Sequence, residues 1–374
     1  MFKKINNIIF ILLFLAVLVV PLLFTRWESG GVSQVENRNL AAFPALTKEG
    51  AFNLSFTQEF ETWFMDHLGF RQMLIDSNKA LMEQVFQRNL TTSDVKTGKT
   101  GDLIYAPDAV IKDFAHANLR TADQVAEIGN SYQAISDYLE GKGIPFYYVQ
   151  CVDKHTIYPE RFIPHVKQLG DTSKTDQVMH YLETQTTVKS IYLKTPLLAA
   201  KEAYPVFSHW GDSTHWSDRG AYIAYCHIME QLNRDMDQPL KILTEADYEI
   251  TFKTNYGTDG NTEQEEQFTV KDPKATKSDK TIMGKWSEDD RHSRFVNPEA
   301  GNNKKLLLMG DSYINSFIIR DIAESFGEVW LVWGDYTADL SQIVDLYQPD
   351  LVIYECAERV DRSKAVCALA DSLK

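Results

Sequence analysis

From residue 145 onward, short apolar runs alternate with amphipathic stretches, and this alternation limits the fold more than any other feature of the chain. Residues 145–152, 188–193, 304–309, 329–332 and 351–354 read as buried strands. Residues 121–140, 175–184, 314–326, 339–346 and 362–373 carry apolar positions at helical spacing. Strands separated by helices are joined by crossovers rather than tight turns, so they build a parallel sheet with helices on both faces. The expected class is α/β, a three-layer α/β/α sandwich with a mostly parallel sheet.

The strand at 304–309 runs directly into Gly310-Asp311-Ser312-Tyr313, and the helix at 314–326 follows. A serine between a strand end and a helix start sits where open α/β sheets place their ligands. There, backbone N–H groups at the helix start can face a developing oxyanion. About a hundred residues earlier stands Gly211-Asp212-Ser213-Thr214-His215-Trp216, a D-x-x-H. Ser217-Asp218-Arg219-Gly220 then reads as a capped helix start. A serine nucleophile needs a base for its proton, and the base needs a carboxylate to fix its tautomer. Ser312, His215 and Asp212 are the candidates for these roles. Serine last in the chain is no objection, because triads are defined by geometry and occur in several chain orders.

These blocks resemble those of the SGNH (GDSL-like) hydrolase superfamily. With the serine block C-terminal to the Asp-x-x-His-Trp block, the chain is similar to the alginate O-acetyltransferase-like and DHHW families. Four more segments carry the likeness: Glu36-Asn37-Arg38-Asn39-Leu40, Phe64-Met65-Asp66-His67-Leu68-Gly69-Phe70-Arg71, Lys154-His155-Thr156-Ile157-Tyr158-Pro159-Glu160, and the strand at 349–355 with Glu358-Arg359. The resemblance spans about residue 33 to the end. In many alginate-type members the carboxylate lies two residues before the histidine; here Ser213 holds that place and Asp212 is three before. No separate C-terminal carbohydrate-binding module is expected.

The resemblance implies an extracytoplasmic O-acetyltransferase that acts on a secreted or cell-wall polysaccharide through an acetyl-serine. Its partners would be the polysaccharide acceptor and a membrane-bound O-acyltransferase as acetyl donor. A carbohydrate acetyl esterase and a non-catalytic scaffold for a polysaccharide acetylation complex are the alternatives. No cofactor is expected.

The N-terminus fits that address. Lys3 and Lys4 precede an apolar run at 8–24, and no small-x-small cleavage site follows. Residues 1–27 are expected to form a single-pass membrane anchor or an uncleaved signal. The positive-inside rule then puts the body on the cell surface or in the periplasm, with Trp27 at the outer interface. Residues 28–50 read as a linker and 51–374 as the hydrolase-like domain. The segment at about 247–303 reads as an insertion, and 258–294 within it as a mobile surface excursion with a hairpin. A formal net charge of -14, with no basic stripe, argues against nucleic acid as a partner. Cys151, Cys226, Cys356 and Cys367 are even in number, yet their pairing is open and buried free thiols fit equally well.

Other polar residues at the same sheet edge are candidates for the oxyanion hole or substrate. They are Tyr313, Trp216, Lys154, Tyr158 and, from the resemblance, Arg359. Each has a plainer reading: a ring packed on the helix start, a buttress for the histidine, or an ion pair holding a loop. His209, Asp212 and His215 form an H-x-x-D-x-x-H that could instead ligate zinc. That leaves the G-D-S block unexplained, so no metal is expected.

Overall fold

The structure is a computed structural model of the chain; it describes residues 2–27, 32–33, 38–48, 51–71, 73–74, 77, 94–257 and 260–373. It divides into two compact units, residues 1–90 and 91–374. Glu36 and Asn37 lie outside the described residues.

The first unit holds helices α1 (Phe2–Leu23) and α2 (Phe56–His67). Trp63 of α2 is fully buried under Phe43, Phe60 and Trp27, with ring centroids 4.8, 5.6 and 5.5 Å away. Gly69 follows α2 where a Cβ would lie 2.6 Å from the Pro21 carbonyl oxygen, so only glycine lets the two segments approach. Asp66 accepts a hydrogen bond from the Ala41 amide at 2.8 Å. Among the described residues no helix is long and apolar enough to cross a membrane, so the transmembrane part of the expected fold is not carried by the structure.

The second unit is built on strands β1 (Phe146–Cys151), β2 (Lys189–Tyr192), β3 (Tyr248–Tyr256), β4 (Thr262–Val270), β5 (Thr276–Ser278), β6 (Ser293–Val296), β7 (Lys305–Gly310), β8 (Glu328–Trp333) and β9 (Leu351–Ala357). Seven of them form one sheet in the order β5-β6-β8-β7-β9-β1-β2. β8, β7, β9, β1 and β2 are mutually parallel, while β6 and β5 add antiparallel to one edge. The sheet is therefore mixed, with a parallel centre.

Side chains on the central strands alternate between two cores, as a period of two requires. Leu306 and Leu308 of β7 point into one core with Val329, Leu331, Leu351 and Ile353; Leu307 and Met309 point into the other with Trp330, Val332, Val352 and Tyr354. The first core is closed by α5 (Asp218–Arg234) and by the chain after β7. The second is closed by α3 (Ala122–Glu140), α4 (Lys174–Gln185), α6 (Leu340–Tyr347) and α7 (Ser363–Ser372). Burial on both faces is why these strands read as unbroken apolar runs. Helix starts are set by side-chain caps. Thr121 and Gln124 form a capping box on α3, and the Ser217 hydroxyl accepts from the Gly220 amide on α5.

The segment at 247–303 is not a loose excursion. β3 and β4 form a hairpin nine residues long on each side, and β5 and β6 extend the main sheet. Thr258 and Asp259 at its turn lie outside the described residues. All four cysteines are free thiols.

Candidate active site

Ser312 sits just beyond the carboxyl end of β7, flanked by parallel neighbours β8 and β9. The chain leaves the strand through Gly310, where a Cβ would meet the Glu355 carboxylate at 2.8 Å. Asp311 then fixes the bend. Its amide donates to Glu355 Oε2 at 2.8 Å, and its own carboxylate accepts from the amides of Tyr313 at 3.1 Å and Ala357 at 2.9 Å. After Ser312 the chain takes a π-turn, Ile314–Ile318, before continuing as α-helix. Such turns re-aim side chains and recur at functional sites; here Phe317 is carried against His215, ring centroids 5.5 Å apart.

His215 and Asp212 come from the loop ahead of α5. That loop is tied down at its end by Ser217, whose hydroxyl donates to the Pro205 carbonyl at 2.6 Å. His215 Nε2 lies 2.7 Å from Ser312 Oγ, and His215 Nδ1 lies 2.9 Å from Asp212 Oδ2. Asp212 Oδ1 accepts from the Thr214 amide and hydroxyl, both at 2.6 Å, and from the His215 amide at 3.0 Å. Burial pulls the Asp212 pKa upward, but the hydrogen bonds from His215 and Thr214 outweigh it and hold the carboxyl well below the usual range. A permanent anion at Nδ1 assigns the imidazole proton there and leaves the Nε2 lone pair facing the serine. The structure thus brings Ser312, His215 and Asp212 into one hydrogen-bonded chain.

Arg359 also reaches this site. Its guanidinium lies against Tyr313 with its centre 4.9 Å from the ring, and one terminal nitrogen is 3.4 Å from His215 Nε2. The other terminal nitrogen donates to Asp153. Burial disfavours the Arg359 cation, but Asp153 and Tyr313 more than compensate and raise its pKa.

The remaining sequence candidates are turned inward and cannot touch a substrate. The Tyr313 amide is taken by Asp311, and its hydroxyl, fully buried, lies 2.8 Å from Asp153 and 2.9 Å from the Thr214 carbonyl. Trp216 is buried edge-on against Tyr313, centroids 4.7 Å apart, so it buttresses the site and is no sugar platform. Lys154 winds back into the fold and donates to the Leu103 carbonyl at 2.8 Å; burial brings its pKa down to about 8. Tyr158 is buried, accepts from the Val206 amide at 3.3 Å, and carries the Arg161 guanidinium 3.9 Å above its ring. His209 does not join Asp212 and His215: its Nδ1 faces buried Asp102 at 2.9 Å. Among the described residues no group of His, Cys, Asp and Glu is arranged to hold a metal ion.

Two functional neighbours were not singled out from sequence. Asp153, the partner of Arg359 and Tyr313, directly precedes Lys154 at the end of the β1 strand; that position was the available signal. Glu263, on β4, accepts from the amide of His209 at 2.9 Å and from the Ser208 hydroxyl at 3.0 Å. It grips the loop that leads to Asp212, and nothing in a charged strand sequence marks it for this.

A three-layer sheet with a serine at a strand end and a D-x-x-H before a helix defines the SGNH hydrolase-like class. Its family model described as the SGNH hydrolase-like domain of the acetyltransferase AlgX matches residues 112–317, more than half of the chain, and the protein belongs to that family. Two structures of Bacillus cereus PatB1 have a similar fold. The one with a sulfonyl adduct is 17% identical, covering 72% of this chain and 99% of that one, with a TM-score of 0.54. The other is 16% identical, covering 71% and 95%, with a TM-score of 0.52. A DHHW family protein from Eubacterium siraeum is 14% identical, covering 73% and 97%, with a TM-score of 0.46. No curated protein sequence matches the chain.

Proposed function

We propose that this protein is a serine-dependent O-acetyltransferase acting on a polysaccharide. The observation that carries the reading is the continuous path from Ser312 Oγ through His215 to Asp212, with contacts of 2.7 and 2.9 Å. Membership of an acetyltransferase family supports it. In the first half-reaction Ser312 Oγ attacks the acetyl carbonyl and its proton passes to His215 Nε2. The donor's alcohol leaves with that proton, and acetyl-serine remains. In the second, a sugar hydroxyl gives its proton to Nε2 and attacks the acetyl group, and Nε2 returns that proton to Ser312 Oγ as the ester bond to serine breaks. Asp212 holds the imidazole and stabilises its cation in both steps. The Ser312 amide, unlike that of Tyr313, is the backbone donor we assign to the oxyanion.

The acetyl donor we propose is a membrane-bound O-acyltransferase, with the catalytic unit outside the cytoplasm. The lysines ahead of the apolar run at 8–24, and the exposed Phe10, Phe14 and Leu18 on α1, support attachment at a membrane surface. The test is incubation of the full chain and its Ser312→Ala variant with p-nitrophenyl acetate, followed by intact mass. An acetyl adduct on wild type alone, transferred when oligosaccharide is added, is the expected result. An adduct lost only to water would indicate an esterase. Neither adduct nor turnover would leave a scaffold.

A further inference from the structure

The β3–β4 hairpin stands apart from the main sheet and takes no part in the proposed chemistry. Its side chains nevertheless converge on the segment that carries Asp212 and His215. Glu263 and Glu265 of β4 share one face, as residues two apart on a strand must, and Asn255 of β3 stands opposite Glu263. The Glu263 carboxylate accepts from the His209 amide at 2.9 Å and from the Trp210 amide at 3.4 Å, two successive N–H groups that make a small anion-binding concavity. It also accepts from the Ser208 hydroxyl at 3.0 Å. Asn255 is itself held by Glu265, which accepts from its side-chain amide.

Ser208 passes this hold along the chain. Its buried hydroxyl donates to Glu263 and accepts from Asn255 Nδ2 at 3.2 Å and from the Gly211 amide at 2.5 Å. A hydroxyl has one proton and two lone pairs, so every bond it can make is made. Gly211 directly precedes Asp212. The far end of the segment is held by the same strand: Glu266 takes the Arg219 guanidinium at 2.6 and 2.8 Å, and the Phe268 amide donates to Asp218 at 3.0 Å. The amides of Leu103 and Tyr105 hold the His209 and Ser213 carbonyls at 2.9 and 3.0 Å, but neither bonds Gly211. The residue ahead of Asp212 is therefore tied through Ser208 to the hairpin.

We infer that Glu263 is a positioning residue of the proposed acyl transfer: through Ser208 and Gly211 it sets the backbone from which Asp212 reaches His215, and the hairpin is the splint that carries it. The inference rests on the acetyl-transfer reading for what Asp212 and His215 do, and on the hydrogen bonds alone for the hold itself. Without the Glu263 carboxylate, the Ser208 hydroxyl loses its acceptor and the amides of His209 and Trp210 lose theirs. The Asp212 carboxylate then meets His215 Nδ1 in a smaller fraction of molecules.

The test uses the full chain in detergent and two readouts. One is the His215 Nδ1 proton, followed by NMR with nitrogen-labelled histidine and assigned by its loss in His215→Gln. The other is the rate at which phenylmethanesulfonyl fluoride sulfonylates Ser312, followed by intact mass. In that reaction Ser312 Oγ bonds sulfur, fluoride leaves and the serine proton passes to His215. Glu263→Gln, nearly isosteric, should broaden or remove the Nδ1 resonance and slow sulfonylation about tenfold. Ser208→Ala breaks the relay one step on and should do the same. Added to Asp212→Ala, neither should slow the reaction further, because the residue they act through is gone. Gln264→Ala cuts an exposed bond to Thr254 within the hairpin and should match wild type. Resonance and rate unchanged in both Glu263→Gln and Ser208→Ala, or the same loss on top of Asp212→Ala, overturns the inference. A wild type that takes neither sulfonyl nor acetyl, but whose Nδ1 proton is lost in Glu263→Gln, would refute acyl transfer and leave the positioning role standing.

Discussion

Asp212→Asn is the sharpest probe of the proposed mechanism, because the structure dictates which way the new amide must face. Asp212 Oδ1 accepts three hydrogen bonds, two of them from backbone N–H groups that cannot move, at 2.6 and 3.0 Å. Oδ2 accepts only from His215 Nδ1. An asparagine placing its NH₂ at the Oδ1 site would oppose two backbone donors, at a cost of about 1–3 kcal/mol for each unsatisfied group. Its oxygen therefore takes the Oδ1 site and its NH₂ points at His215. The imidazole must then accept at Nδ1 and carry its proton on Nε2, aimed at Ser312 Oγ. It can no longer receive the serine's proton. The same exchange in a Ser-His-Asp triad costs about 10⁴-fold, or roughly 5.5 kcal/mol of barrier. Asp212→Ala removes the anchor without imposing the wrong tautomer, so the expected order of kcat/KM on an acetyl ester is wild type, then Ala, then Asn. Both variants should melt below wild type at neutral pH, because each loses bonds that hold the Asp212 carboxyl low, so turnover is compared at a temperature where all three are folded. An Asn variant within tenfold of wild type, or faster than the Ala variant, would refute the orienting role.

Three further expectations follow from the surroundings of the triad. Glu355 is fully buried, and burial with Asp311 beside it pushes its pKa up to about 8. A carboxyl raised on folding stabilises the fold fully below its ordinary pKa of about 4.3 and loses that contribution as pH rises to about 8. Glu355→Gln should therefore gain in melting temperature relative to wild type between pH 5 and 8; a constant difference would rule out the buried protonated acid. Arg359→Ala strips the cation from buried Asp153 and should cost about 3–5 kcal/mol in chemical denaturation. Arg359→Lys should recover most of that stability but not ester turnover, because a single ammonium cannot reach both Asp153 and His215 Nε2; recovery of both would show that charge alone matters. A Cβ at Gly220 would sit 2.2 Å from the Val206 carbonyl oxygen, which is backbone and cannot swing away. Gly220→Ala should destabilise by about 1–3 kcal/mol in a thermal melt, with α5 forced off the loop behind it.

The strands of the parallel centre were legible because both their faces are buried, which leaves continuous apolar runs such as Leu306-Leu307-Leu308-Met309. The extent and packing of the hairpin were not, for the opposite reason. Glu263, Gln264, Glu265 and Glu266 give no alternation of apolar and polar residues, so nothing in the pattern distinguishes the face that grips the 208–211 loop from the face in water. Ser312, His215 and Asp212, which the structure joins by hydrogen bonds, were legible because each lies in a short block at a strand end or before a helix. Lys154, Tyr158 and Trp216 lie in the same blocks, yet sequence position fixes nearness to the edge and not the direction of a side chain. A helical turn at Lys154–Ile157 winds Lys154 back toward backbone carbonyls.

Arg359 and Asp153 show what separates the two cases. Each lies just past a strand end, 206 residues apart, though only Arg359 was singled out from sequence. What makes them partners is the parallel register of β9 on β1, in which Ala357 stands opposite Cys151. Two residues further along each strand bring Arg359 and Asp153 to the same level. The ion pair, the Tyr313 hydroxyl bonded to Asp153 and the guanidinium beside His215 all depend on that one neighbour relation. Pairing between distant parallel strands is set by packing of the whole sheet rather than by any local signal. A single-sequence reading can therefore name the polar groups that meet at the sheet edge, while the residues that hold them there become visible only when strand order and register are known.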